Sequence, residues 1–176
     1  MTGEAVAECD AGRGGFDIEA LFRARYERIA GVIARVVNHP ARAEELAVEV
    51  FLKLWRTSRA HGDKAEGWLY RTAVRIGLDE LRRQTRRSRY ESVVALVRRS
   101  PTPEEIRAAT EEKDRVRAVL GVLAPRQAEM LLLRSEGLRY DEVAAALELN
   151  PASVGALLSR AQQAFRKEYT KRYGTD

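Results

Sequence analysis

With 176 residues the chain has room for one compact domain or for two small ones, each with a modest core. Its 31 Lys plus Arg outnumber 26 Asp plus Glu by only five, so the distribution of charge matters more than the sum. The single cysteine, Cys9, excludes an internal disulfide framework, and the absence of any apolar run long enough to span a bilayer excludes membrane insertion.

Residues 1–15 lack the basic-then-apolar order of a secretory signal, which predicts a cytoplasmic protein with a disordered N-terminus. A first helix is predicted over 17–37, with Ile18, Leu21, Phe22, Ile29, Ile33, Val36 and Val37 on one broad face and a stop at Asn38-His39-Pro40. Pro40 opens a second helix whose apolar stripe is Leu46, Ala47, Val50, Phe51, Leu54 and Trp55. The loop SRAHGDKAEG follows. A third helix then places Trp68, Leu69, Thr72, Ala73, Ile76 and Leu81 toward a core and shows Arg71, Arg75, Arg82 and Arg83 elsewhere.

From Arg82 to Arg99 there are seven arginines and one acid, Glu91, a density that attracts phosphate by releasing condensed counterions. A basic run is by itself often only a solvated surface. Residues 90–103 read as a linker, although VVALV within it is apolar enough to dock on a neighbour. Thr102 and Pro103, followed by Glu104 and Glu105, form a helix-start signal.

The C-terminal third carries the second nucleic-acid signal. Two short apolar-faced segments precede a third that opens at Asn150-Pro151, at helix-turn-helix spacing. Its inner stripe is Val154, Leu158, Ala161 and Phe165, which turns Ser153, Ala156, Leu157 and Arg160 to the side that meets the major groove in such motifs. The expected fold is therefore all-α: a disordered 1–15, a helical domain over 16–89, a basic linker over 90–103 and a helix-turn-helix domain over 104–172.

An enzyme is the poorest reading. The best titratable cluster, His39 with Glu44, Glu45 and Glu49, reads as a helix-start cap, and no nucleophile, base and orienting group assemble from these spacings. No metal site and no cofactor is called for. A free-standing regulator that binds duplex DNA by its C-terminal motif alone is the alternative.

Three blocks carry a family resemblance: AEELAVEVFLKLW (43–55), WLYRTAVRIGLDELRR (68–83) and LAPRQAEMLLLRSEGLRYDEVAAALELNPASVGALLSRA (123–161). In this order they resemble an extracytoplasmic-function (ECF) sigma factor of bacterial RNA polymerase. The resemblance implies a promoter-specificity subunit that binds core RNA polymerase and promoter DNA, and in many relatives an anti-sigma factor. It implies that the second helix docks on the polymerase clamp through Glu45, Val48, Glu49 and Lys53. It also implies that the third helix holds the melted minus-ten element, with Arg71, Arg75, Arg82 and Arg83 on the backbone and Trp68 and Tyr70 beside the bases. Ser153, Ala156, Leu157 and Arg160 would face the minus-thirty-five element. Where such proteins commonly carry a turn glycine this chain has Glu148, and a non-glycine residue at positive φ costs about 1 kcal/mol, so a differently built turn is expected.

Overall fold

The computed structural model describes residues 16–92 and 104–174, and the side chains of 16–87 and 111–174. The N-terminal stretch 1–15 and the remainder of the expected linker, including VVALV, lie outside the described residues. Every regular element among the described residues is helical.

Helix α1 (Ile18–Val37) starts where the Asp17 carboxylate accepts from the Ala20 amide at 2.9 Å, and it ends at Asn38 in the left-handed region, φ 56°. Helix α2 (Pro40–Trp55) is capped by His39, whose Nδ1 accepts from the Arg42 amide at 3.2 Å. Two single 3₁₀ turns, Ser58–Ala60 and Gly62–Lys64, lead into α3 (Ala65–Ser92). The loop is thus shorter than the sequence suggests, because buried Ala65 already packs and can open the helix. At its other end α3 runs past 89, into the stretch read as linker.

The C-terminal half contains α4 (Glu104–Val122), α5 (Pro125–Ser135), α6 (Tyr140–Leu147) and α7 (Pro151–Tyr173). Asn150 caps α7 by accepting from the Ala152 amide at 3.0 Å, and Pro151 takes the first helical position. Between α6 and α7 the expectation of an altered turn is corrected. Glu148 adopts the left-handed conformation itself, φ 54° and ψ 49°, and caps α6 as a glycine would.

Ile29, Ile33, Val36, Leu46, Val50, Leu54, Leu69, Val74 and Leu78 fill the bundle of α1, α2 and α3. Ala128, Met130, Leu133, Val143, Leu147, Val154 and Leu158 fill the space between α5, α6 and α7. The two cores are continuous, since α3 packs against α1 and α2 on one side and against α4, α5 and α6 on the other. One residue of the predicted stripes is misplaced. Trp55, at the C-terminal end of α2, is 61 % exposed because none of the described helices covers that end of the bundle.

Candidate nucleic-acid interface

Three surfaces hold the residues singled out by sequence. The first is the outer stripe of α3, where Arg71, Arg75 and Arg82 follow one another at intervals of four and seven and therefore share a face. The C-terminal half lies against that face, covering most of Arg71 and Arg82 and leaving Arg75 half exposed. Arg71 Nη1 donates to Glu148 Oε1 at 2.5 Å, and Arg75 grips Glu129 through Nε at 2.9 Å and Nη2 at 3.4 Å. Arg82 donates to the main-chain oxygens of Gly121 and Leu123 at 3.3 and 3.4 Å. Arg83 points elsewhere, is largely exposed, and pairs with Glu80 on its own helix at 3.2 Å.

Glu129 is the one buried charged residue among the described residues, which its arginine clamp explains. Around the same seam Arg35 donates to Glu136 Oε1 at 2.8 Å, Arg28 to the Glu136 carbonyl at 3.3 Å, and Arg117 to the Arg35 carbonyl at 3.0 Å. At the start of α3 the backbones approach closely, so that a Cβ built on Gly67 would sit 3.5 Å from the Ala146 Cα.

The two aromatics beside this stripe differ in placement. Trp68 is half-buried and lines a cleft of about 650 Å³ between the halves, together with Arg59, Lys64, Arg71 and Glu148. Tyr70 is 2 % exposed, so it offers no face for a base in this arrangement. Burial pushes its phenol above the usual range, and its hydroxyl is buried with no hydrogen-bond partner. Arg28 lies over its ring, 5.5 Å from the centroid.

The second surface is α7. Val154, Leu158 and Ala161 are buried and Phe165 is partly so, while Ser153, Ala156 and Arg160 are exposed along the opposite side. Leu157 corrects the expectation: it is partly buried against the core and sits at the border of the outward face. What remains outward over 151–160 is small or polar, with Arg160 as its cation, and the exposed cations Arg166, Lys167 and Lys171 follow further along the helix.

The third surface is α2, where Glu45, Val48, Glu49 and Lys53 are all exposed, Lys53 pairing with Glu49 at 2.8 Å. Sequence reasoning missed Leu52 and Trp55, which extend this face to an apolar groove of about 280 Å³ also lined by Ile18, Phe22 and Phe51. An apolar stripe wider than the bundle requires was the only signal available, and Trp55 marks its edge. No helix among the described residues is long and apolar enough to cross a membrane, and no cluster of three or more His, Cys, Asp or Glu there could hold a metal.

Comparison with known proteins matches both halves in order. Residues 21–87 match Sigma-70 region 2 and residues 113–164 match Sigma-70, region 4. The chain is similar to the ECF RNA polymerase sigma factor SigK of Mycolicibacterium vanbaalenii, 30 % identical over 86 % of this chain and 82 % of that protein. It is likewise similar to the ECF RNA polymerase sigma factor SigE of Mycolicibacterium smegmatis, 28 % identical over 87 % of this chain and 62 % of that one. Among solved structures it shares the fold of CnrH, determined in complex with the cytosolic domain of CnrY, with a TM-score of 0.53 and 22 % identity over 85 % of each chain. The sigma factor RpoE of Bartonella quintana, in complex with the anti-sigma factor NepR, aligns with a TM-score of 0.51 and 16 % identity over 86 % of this chain and 96 % of that one.

Proposed function

This chain belongs to the ECF RNA polymerase sigma factors, and from that premise we propose how its surfaces divide the work of a promoter-specificity subunit. It is a sigma subunit that joins core RNA polymerase and directs initiation by recognising promoter DNA. The observation that carries this is the presence, in one chain and in order, of region 2 over 21–87 and region 4 over 113–164. A regulator that only reads duplex DNA has no use for the first.

In this reading α2 meets the polymerase. Glu45, Val48, Glu49 and Lys53 supply its charged and border contacts, and Leu52 with Trp55 supplies apolar area left exposed among the described residues. The α3 stripe of Arg71, Arg75 and Arg82, with Arg83 beside it, tracks the backbone of the melted strand. Each phosphate contact on a single strand contributes a salt slope of about 0.7. Trp68 borders the cleft into which an unstacked base fits. Ser153, Ala156, Leu157 and Arg160 on α7 face the upstream duplex, where Leu157 offers only apolar contact such as with a thymine methyl. The subunit works in the cytoplasm without catalytic chemistry of its own, and an anti-sigma factor is a fitting further partner.

The test is co-purification with bacterial core polymerase followed by transcription from genomic fragments. Stable association and discrete transcripts are expected, and Trp55→Ala should weaken association by about 2 kcal/mol, as loss of a central aromatic anchor does, without changing the fold. Tight, sequence-selective duplex binding by the free chain with no association with core enzyme would overturn the reading.

A further inference from the structure

The cleft beside Trp68 is equipped for more than one extruded base. Its volume of about 650 Å³ lies within the roughly 300–1,000 Å³ range of small-molecule sites and has room for a whole nucleotide. Its apolar lining is made of small groups: Ala60 is 3 % exposed and Ala146 2 %, and Gly67 lies against Ala146. The half-buried Trp68 lines the same space with an indole, on which any base can stack whatever its identity.

The cations of the cleft differ from those of the α3 stripe. Arg71, Arg75, Arg82 and Arg83 are all engaged by oxygens of this chain. Arg59 and Lys64, carried on the two 3₁₀ turns, line the cleft with side chains that make no hydrogen bond or ion pair among the described residues. Of the two carboxylates in the lining, Glu148 is taken up by Arg71, whereas Asp63 makes no such contact and remains an acceptor. Uncommitted cations, one uncommitted carboxylate, an aromatic ring and a small apolar lining are the complementary groups of phosphate, ribose and base. A guanidinium matches phosphate oxygens in pairs, an ammonium adds a point charge, and a carboxylate accepts from ribose hydroxyls.

We propose that this cleft binds a free nucleoside di- or triphosphate: the base stacks on Trp68 beside Ala60 and Ala146, the ribose hydroxyls donate to Asp63, and Arg59 with Lys64 holds the phosphates. Binding requires neither DNA nor polymerase, so the inference goes beyond the sigma reading and does not depend on it. Where that reading holds, the nucleotide and the extruded promoter base share Trp68 and exclude one another.

The full chain, free of DNA and polymerase, is titrated calorimetrically at low salt with ATP, GTP, adenosine and sodium triphosphate. One ATP or GTP per chain should bind with a dissociation constant below about 1 mM, and at least about tenfold more tightly than adenosine or triphosphate alone, because joined contacts reinforce one another. Arg59→Ala with Lys64→Ala, both at exposed positions, should leave the melting temperature unchanged and weaken ATP about tenfold or more. Trp68→Leu, in a chain shown by circular dichroism to be folded, should weaken ATP at least about fivefold. No binding of ATP or GTP at about 1 mM, triphosphate binding as tight as ATP, or an ATP affinity unmoved by the Arg59 and Lys64 pair or by Trp68→Leu overturns the site. Association with core polymerase is scored on the same preparation. Its absence while ATP binds as expected removes the sigma reading and leaves the site standing; its presence while ATP does not bind removes the site alone.

Discussion

The two faces proposed to meet DNA are built from the same kind of helix and reach opposite states. On α3, Arg71, Arg75 and Arg82 are each engaged by an oxygen of the C-terminal half, whereas in the first turns of α7 Ser153, Ala156 and Arg160 are exposed with one cation among them. The arginine stripe of α3 is thus engaged within the chain, while the first turns of α7, with Arg160 as their cation, are left open. Charge density alone does not say where DNA binds a free chain; the geometry that occupies or frees the charge does.

The largest way to break the contrast is to remove the anchor of the open face. Leu158 is 3 % exposed, and Leu158→Ala should cost about 2–5 kcal/mol through lost burial and a residual cavity, read as a fall in melting temperature with loss of duplex binding. Next comes the covered face. Removing Arg75 leaves the buried Glu129 carboxylate with only Arg126, 3.9 Å away, so Arg75→Ala should cost about 1–2 kcal/mol in denaturant titration, discounted because Arg75 is itself half exposed. Arg160→Ala on the open face should stay within about 0.5 kcal/mol.

Leu157 sits between the two states. Since it is only partly buried, Leu157→Arg should lower stability by no more than about 1 kcal/mol and raise duplex affinity by about 1 kcal/mol where a base contact forms. A loss of several degrees in melting temperature would place Leu157 in the core instead.

The smallest effect is on pH. The hydrogen bond and charge of Arg71 hold the Glu148 carboxyl below its ordinary value of 4.5. Its contribution to the seam between α3 and the C-terminal half is therefore complete above that value and is lost as the pH falls through the lower folded one. A pair of fluorophores, one on each half, should report loosening in that acid window, and Glu148→Gln should flatten the response.

Much of this architecture is legible in the chain itself. Asp17, Pro40 and Asn150-Pro151 mark helix starts, and the stripes of α1, α3 and α7 follow the 3.6-residue period because each buries one face. The arginine stripe of α3 is legible too, but its partners are not. Arg71 and Glu148 are 77 residues apart and Arg75 and Glu129 are 54 apart, and no local pattern encodes a pairing at such distance. Trp55 was assigned to the wrong environment, and Leu157 is more covered than its outward position suggests, for a related reason. Periodicity says which residues share a face, whereas neighbouring helices decide how far that face is covered.

The division of labour between the two faces is tested most directly in the polymerase complex, by scoring promoter melting from the permanganate reactivity of unpaired thymines and upstream occupancy from footprinting on the same complexes. Arg71→Ala with Arg75→Ala should abolish melting and keep upstream protection, while Ser153→Ala with Arg160→Ala should weaken upstream protection and leave melting intact on fragments bound at saturation. If both pairs of substitutions reduce melting and protection in the same proportion, or if the α3 pair leaves melting unchanged, the assignment of single strand to α3 and duplex to α7 is wrong.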